Sequence, residues 1–215
     1  MSMPELKNGS PKEAEMTRLV LASRNRDKLK EIEALVSELN LEFILSSELL
    51  PDFEVIEDQE TLLANAVKKA IETAKATGLP ALADDTGLFI SALNGAPGVY
   101  AARFAGKGCS YADNRKKVLS LLQAKNEREA EFRTVVVLAV PDGVIAYSEG
   151  KMRGKITTFE RGSNGFGYDS IFEVSGTGKT YAEMNEEEKN LCSHRAKAFS
   201  NILPVLKEYF NDDEK

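Results

Sequence analysis

Four short segments of this chain carry side chains suited to work on a phosphate ester or anhydride. Ser23-Arg24-Asn25-Arg26-Asp27-Lys28 follows an apolar run and opens a helical pattern. At such a junction the free backbone N–H groups and the positive helix end favour an anion. Ser23 and Asn25 can donate to phosphate oxygens, and Lys28 adds a point charge. The same residues also read as an ordinary helix cap. Asp84-Asp85 directly follows the apolar Ala81-Leu82-Ala83. That places two carboxylates at a strand end, where ligand sites of α/β sheets form. Magnesium takes one or two carboxylates plus substrate phosphates, and Glu57, in an acidic stretch upstream, offers another. Successive strand residues face opposite ways, so the pair can act as equivalent ligands only if the chain turns; Thr86-Gly87 predicts such a turn. Asp85-Thr86-Gly87 reads equally well as turn chemistry alone.

The other two segments suit an aromatic ligand. In Gly165-Phe166-Gly167-Tyr168-Asp169 two glycines bracket a ring, so the backbone can bend sharply and present it for stacking on a nucleobase. Alternation into the next strand makes one of Phe166 and Tyr168 a core residue. Ser193-His194-Arg195 begins a helix, with Lys189 about one turn earlier; all three side chains His194, Arg195 and Lys189 can donate hydrogen bonds. A lone histidine at a helix start also fits a surface or capping role. Gly176-Thr177-Gly178-Lys179-Thr180 ends like a phosphate-binding loop, but Glu173 stands where the pattern needs its first glycine. Gly165-x-Gly167 likewise fails as a dinucleotide fingerprint, because Ser170 takes the third position.

The elements that must position these groups follow from periodicity and punctuation. Residues 1–17 are polar, without periodicity, and read as a disordered lead-in. Strands are expected at 18–22, 42–45 and 81–83, and a hairpin at 132–140 and 144–151 about Pro141-Asp142-Gly143. A glycine-rich loop follows at 161–167 and a strand at 170–174. Helices are expected at 28–39, 61–77, 111–123 and 185–210. Leu62, Leu63, Ala66, Ala70 and Ala74 share one side of the second, and Gly78 ends it in the position that favours a left-handed residue. The last helix carries a break near Ser193, and Pro204 predicts a kink or boundary within it. The expected fold is α/β: a mixed, partly parallel central sheet flanked by helices, forming one domain over 18–215. It has two lobes, the second built on the hairpin, with the site in the cleft between them.

A net charge of −6 argues against a broad nucleic-acid surface, but not against a small phosphate ligand held by local cations. No apolar run is long enough to span a bilayer, and no secretion signal is visible. Two cysteines and one histidine fit a reducing cytosol and argue against structural zinc.

Taken in order and at these spacings, the segments resemble the inosine triphosphate pyrophosphatase family, over about residues 19–209. The resemblance rests on Ser23-x-Asn25-x-x-Lys28, Asn65-Ala66-x-Lys68-Lys69-Ala70, Ala83-Asp84-Asp85-Thr86-Gly87-Leu88, Gly95-Ala96-Pro97-Gly98-Val99-Tyr100, Gly165-Phe166-Gly167-Tyr168-Asp169 and Ser193-His194-Arg195. It implies a magnesium-dependent, cytosolic, homodimeric enzyme that cuts ITP, dITP or XTP to monophosphate and pyrophosphate. It also implies roles. Ser23, Asn25, Lys28 and Lys69 would bind the triphosphate and Thr86 would touch the substrate. Glu57 and Asp85 would hold magnesium, with Asp85 also the base and Asp84 supporting. Phe166 would stack on the base within the loop of Gly167, Tyr168 and Asp169, while Lys189, His194 and Arg195 read its edge. The chain departs from the pattern at Ala64, where a glutamate is usual, at Ser170 for proline and at Ala101 for serine. Ala64 takes an acidic group away from the metal, which keeps open a module that binds nucleotide without turning it over. A related enzyme for modified pyrimidine nucleotides is the other alternative.

Overall fold

The computed structural model describes residues 17–37, 39 and 41–211. The expected lead-in lies outside these residues apart from Thr17, which opens the first strand. Among the described residues seven strands form one sheet: β1 (Thr17–Leu21), β2 (Leu41–Leu45), β3 (Ala81–Ile90), β4 (Pro97–Gly98), β5 (Glu129–Val140), β6 (Gly143–Ile156) and β7 (Phe172–Val174). Their order is β2-β1-β3-β5-β6-β7, with β4 against the far end of β3. The β2, β1 and β3 pairings are parallel and the rest antiparallel. The sheet is therefore mixed and partly parallel, as expected.

Helices cover both faces: α1 (Arg26–Leu35), α2 (Ser46–Leu49), α3 (Leu62–Thr77), α4 (Tyr111–Leu121), α5 (Glu186–Cys192) and α6 (His194–Asn211). The central run Val135-Val136-Val137-Leu138-Ala139 is apolar at every position because both faces are covered. Val135, Val137 and Ala139 pack with Leu62, Ala66 and Ala70 of α3. Val136 and Leu138 pack with Leu82, Ile32 and α6 residues Ala198, Phe199 and Ile202. A separate core joins Leu88, Ile90, Phe132, Ile156, Phe172 and Tyr181. Leu82 belongs to the first core and Leu88 to the other, so Asp84, Asp85 and Thr86 fall between them on one continuous strand. Among the described residues no helix is long and apolar enough to cross a membrane.

Local chemistry sets several boundaries. Thr61 caps α3 by accepting from Ala64 N, and Gly78 ends it at φ 71°; such a cap is worth about 1 kcal/mol. Ser193 interrupts the last helical run in an extended conformation, between α5 and α6. Pro204 lies inside the last helix, which continues to Asn211. Three expectations change. Leu63 is 37% exposed, while Asn65, Lys69 and Thr73 are buried on the α3 face. The first helix stops at Leu35. The turn expected at Thr86-Gly87 is absent: β3 pairs with β5 residue by residue from Ala81 to Ile90.

Candidate active site

The site forms at a gap in the sheet. On one edge of β3, β1 pairs only with Ala81 and Leu82, and β4 only with Leu88 and Phe89. Between them the buried strand edge has backbone groups with no neighbouring strand to pair them. The carbonyl of Asp84 accepts from Lys69 Nζ at 2.6 Å, and Thr86 N donates to Asp85 Oδ1 at 3.1 Å. Because the strand runs straight, Asp84 and Asp85 point to opposite faces. Each has its own set of partners.

Asp85 faces α3. Its Oδ2 accepts from Asn65 Nδ2 at 3.2 Å, and its Oδ1 is 3.6 Å from Lys69 Nζ. The same ammonium donates to Glu57 Oε1 at 2.5 Å. Arg103 donates to the Glu57 carbonyl at 2.6 Å and holds the loop in place. Burial and the neighbouring Glu57 charge push the Asp85 carboxyl above the usual range, against the pull of Lys69. Glu57 is half-buried, and Lys69 outweighs the desolvation and holds its carboxyl below the usual range. Lys69 itself stays charged, because Asp85, Glu57 and Asp84 overcome the cost of its burial. Among the described residues no three His, Cys, Asp or Glu side chains group as a metal cage. The donor set present is two carboxylates that repel each other and share one cation. That suits a hard ion which takes one or two carboxylates and fills its shell with phosphate oxygens and water.

Asp84 faces α1 and α6. Lys28 Nζ donates to its Oδ1 at 3.0 Å and Arg195 Nη2 to its Oδ2 at 3.3 Å. Asp84 is fully buried, but these two cations outweigh desolvation and hold it far below the usual carboxylate range. Arg195 Nη2 also donates to Thr86 Oγ1 at 3.4 Å, and Thr86 Oγ1 meets Thr134 Oγ1 at 2.7 Å. Glu31, which carried no sequence expectation, accepts from Arg195 Nη1 and, at 2.6 Å, from Lys189 Nζ. Lys189 continues to Asp169 Oδ2 at 2.8 Å. A chain of alternating charges thus runs Lys28, Asp84, Arg195, Glu31, Lys189, Asp169. Glu31 follows Lys28 by three residues, the spacing that puts two side chains on one helix face; that was its only sequence signal. Burial opposes ionisation of Glu31, yet Arg195 and Lys189 outweigh it and lower its pKa.

At the start of α1, Asn25 Oδ1 accepts from Asp27 N at 2.9 Å, so its carbonyl is committed to the cap. Asn25 N donates to Ser23 Oγ at 3.0 Å. The Asn25 amide group points elsewhere and donates to Tyr111 Oη at 3.1 Å. Ser23, Asn25 and Lys28 therefore do share one strand-to-helix turn beside Asp84. Arg24 instead ties down the following loop through the carbonyls of Pro51 and Phe53.

The aromatic segment divides as alternation requires. Tyr168 is buried in the second core, its hydroxyl donating to the Ala101 carbonyl at 2.7 Å. Its ring is a packing group of that core. Phe166 is half-buried, between Gly165 and Gly167 at φ 72° and 62°. Its N–H donates to Asp169 Oδ2 at 2.9 Å. Burial pushes the Asp169 carboxyl up, against Lys189 and this N–H. Lys189 Nζ and Arg195 Cζ lie 5.2 and 5.7 Å from the Phe166 ring centre. The Gly167 carbonyl accepts from Arg115 at 2.9 Å. His194 is neither a surface residue nor a helix cap. It is buried, stacks on Phe132 at 4.4 Å, and has Nδ1 3.4 Å from Tyr181 Oη. Burial, reinforced by Arg195 and Lys189, holds it neutral, with a pKa well below 6.5.

The family model described as Ham1 family matches residues 19–205. A dITP/XTP pyrophosphatase from Geobacter sulfurreducens is 47% identical over 197 residues, which is 90% of this chain and 96% of that protein. One from Desulfotalea psychrophila is 46% identical over 184 residues, 86% of this chain and 82% of that protein. The solved HAM1 protein of Coxiella burnetii superimposes with a TM-score of 0.81 at 43% identity, over 90% of this chain and all of that one. The matched span runs from within β1 to within α6 and includes every side chain of the gap on β3, and the chain belongs to the Ham1 family.

Proposed function

We propose that this protein hydrolyses non-standard purine nucleoside triphosphates (ITP, dITP and XTP) to the monophosphate and pyrophosphate. One observation carries the reading. A single gap in the sheet edge gathers the Glu57/Lys69/Asp85 cluster on one face, and on the other an ion chain that leads from Lys28 to the Phe166 loop. The relatives' names agree with it.

In this reading the strand-to-helix turn at Ser23, Asn25 and Lys28 takes the triphosphate. Glu57 and Asp85 would hold magnesium, which would supply positive charge to the phosphates. Lys69 and Lys28 add fixed charge where it develops on the phosphate oxygens. The oxygen of a water bonds to the α-phosphorus, the bond from that phosphorus to the α–β bridging oxygen breaks, and pyrophosphate leaves. Asp85 accepts the water's proton. Asp84, with both oxygens held by Lys28 and Arg195, is a positioning residue.

Phe166 stacks on the base. Lys189 and Arg195 carry donors and no acceptor. They suit the carbonyl oxygen of hypoxanthine or xanthine and meet adenine's amino group with a second donor, leaving buried groups unpaired. The enzyme is cytosolic and homodimeric in the same reading, as the family resemblance implies. The test is a nucleotide panel with magnesium and pyrophosphate detection. ITP and XTP should release pyrophosphate far faster than ATP. Equal rates would remove the specificity, and release of single phosphate would remove the reaction.

A further inference from the structure

Tyr111 is the first residue of α4 and is 43% exposed. Its side chain nevertheless meets two groups of the site. Its hydroxyl accepts from the Asn25 amide at 3.1 Å, and its ring lies 6.0 Å from the Phe166 ring at 36°. Asn25 is the group assigned to phosphate and Phe166 the group assigned to the base. We propose that Tyr111 is the second aromatic wall of the nucleobase site, with the purine held between it and Phe166. This rests on the function proposed above.

The geometry of α4 supports the role. Its first turn is locked by a reciprocal cap between Ser110 and Asp113. One turn on, at the i+4 position that shares a face with Tyr111, Arg115 donates to the Gly167 carbonyl at 2.9 Å and to Glu160 at 2.9 Å. Glu160 in turn accepts from the Ser170 hydroxyl at 2.9 Å. The helix that carries Tyr111 is thereby fastened to the loop that carries Phe166, so the two segments keep a fixed relation while the tyrosine ring is free to turn about its own side-chain bonds. A flat base between two rings needs about 7 Å, two carbon contacts of roughly 3.5 Å each. The present separation falls about 1 Å short of that, within reach of a small swing of the tyrosine. The swing lifts the hydroxyl from Asn25 and frees its amide to donate to a phosphate oxygen. Base and triphosphate binding are coupled through one side chain.

The experiment is steady-state hydrolysis of ITP by the full chain, with inorganic tripolyphosphate as a competitive inhibitor that has no base. Tyr111→Ala should raise KM for ITP roughly 5- to 100-fold, the range for one lost stacking contact. It should not weaken inhibition by tripolyphosphate. Tyr111→Phe, which keeps the ring, should restore most of the lost affinity. An unchanged KM in Tyr111→Ala overturns the wall. So does a KM that falls in both variants, which would make Tyr111 only a latch on Asn25. Equal weakening of ITP and tripolyphosphate also overturns it, since the residue would then act through the phosphate turn. The function itself fails on a different observation, no pyrophosphate from ITP with the unmodified protein, and this proposal falls with it.

Discussion

Replacing Glu31 by glutamine removes the negative charge between two buried cations. Arg195 is 3% exposed and Lys189 is 7% exposed, and both donate to the Glu31 carboxylate. Breaking a buried pair by deleting one partner costs about 3–5 kcal/mol when the other charge is stranded. Neither cation is stranded here. Lys189 keeps Asp169 at 2.8 Å, and Arg195 keeps Asp84 at 3.3 Å and Thr86 at 3.4 Å. The amide retains one acceptor oxygen but turns an NH2 donor towards a cation. The cost should therefore fall below that range, at about 1–3 kcal/mol. Urea unfolding at neutral pH reads it as a lower midpoint with an unchanged slope. The pH dependence adds a second check. The folded pKa of Glu31 lies below its ordinary value of 4.5. Its contribution is thus complete above that value and fades as the pH falls through the lowered one. Wild type and Glu31→Gln should differ most at neutral pH and converge on acidification. A loss under about 1 kcal/mol, or a gap that does not shrink with pH, would refute a single Glu31 charge as the clamp on both cations.

Asp85→Asn should nearly abolish turnover without lowering stability. The raised folded pKa means that the ionised carboxylate is disfavoured by the fold at neutral pH, so the amide should unfold at an equal or higher urea concentration; retained activity would remove Asp85 from the chemistry. Tyr168→Phe should cost about 1–3 kcal/mol by leaving the Ala101 carbonyl without its donor, while KM for ITP stays unchanged. A raised KM with unchanged stability would return Tyr168 to the substrate.

Much of this protein was legible without coordinates, because local rules act over a few residues. Asn25 heads a helix as a cap, Thr61 and Gly78 bracket α3, and Ser193 breaks the last helical run. Pro141-Asp142-Gly143 joins the two longest strands as a hairpin. The charged and aromatic residues of the site could be gathered by type and spacing, and the spacing carried the family resemblance.

What only the tertiary structure decided is how the two aspartates divide. Thr86-Gly87 reads locally as a turn, but β5 pairs along all of β3 and keeps it extended. Gly87 is there for a different reason. A Cβ on it would come within 2.8 Å of the Gly98 carbonyl and 2.9 Å of the Phe89 ring. The straight strand puts Asp84 among Lys28 and Arg195 and Asp85 among Asn65, Lys69 and Glu57. Glu31 and Tyr111 join the site from 164 residues before Arg195 and 86 residues after Asn25. A sequence pattern reports the neighbours of a residue along the chain. The charge around a buried carboxylate is set by neighbours across the sheet, and those exist only once the strands have paired.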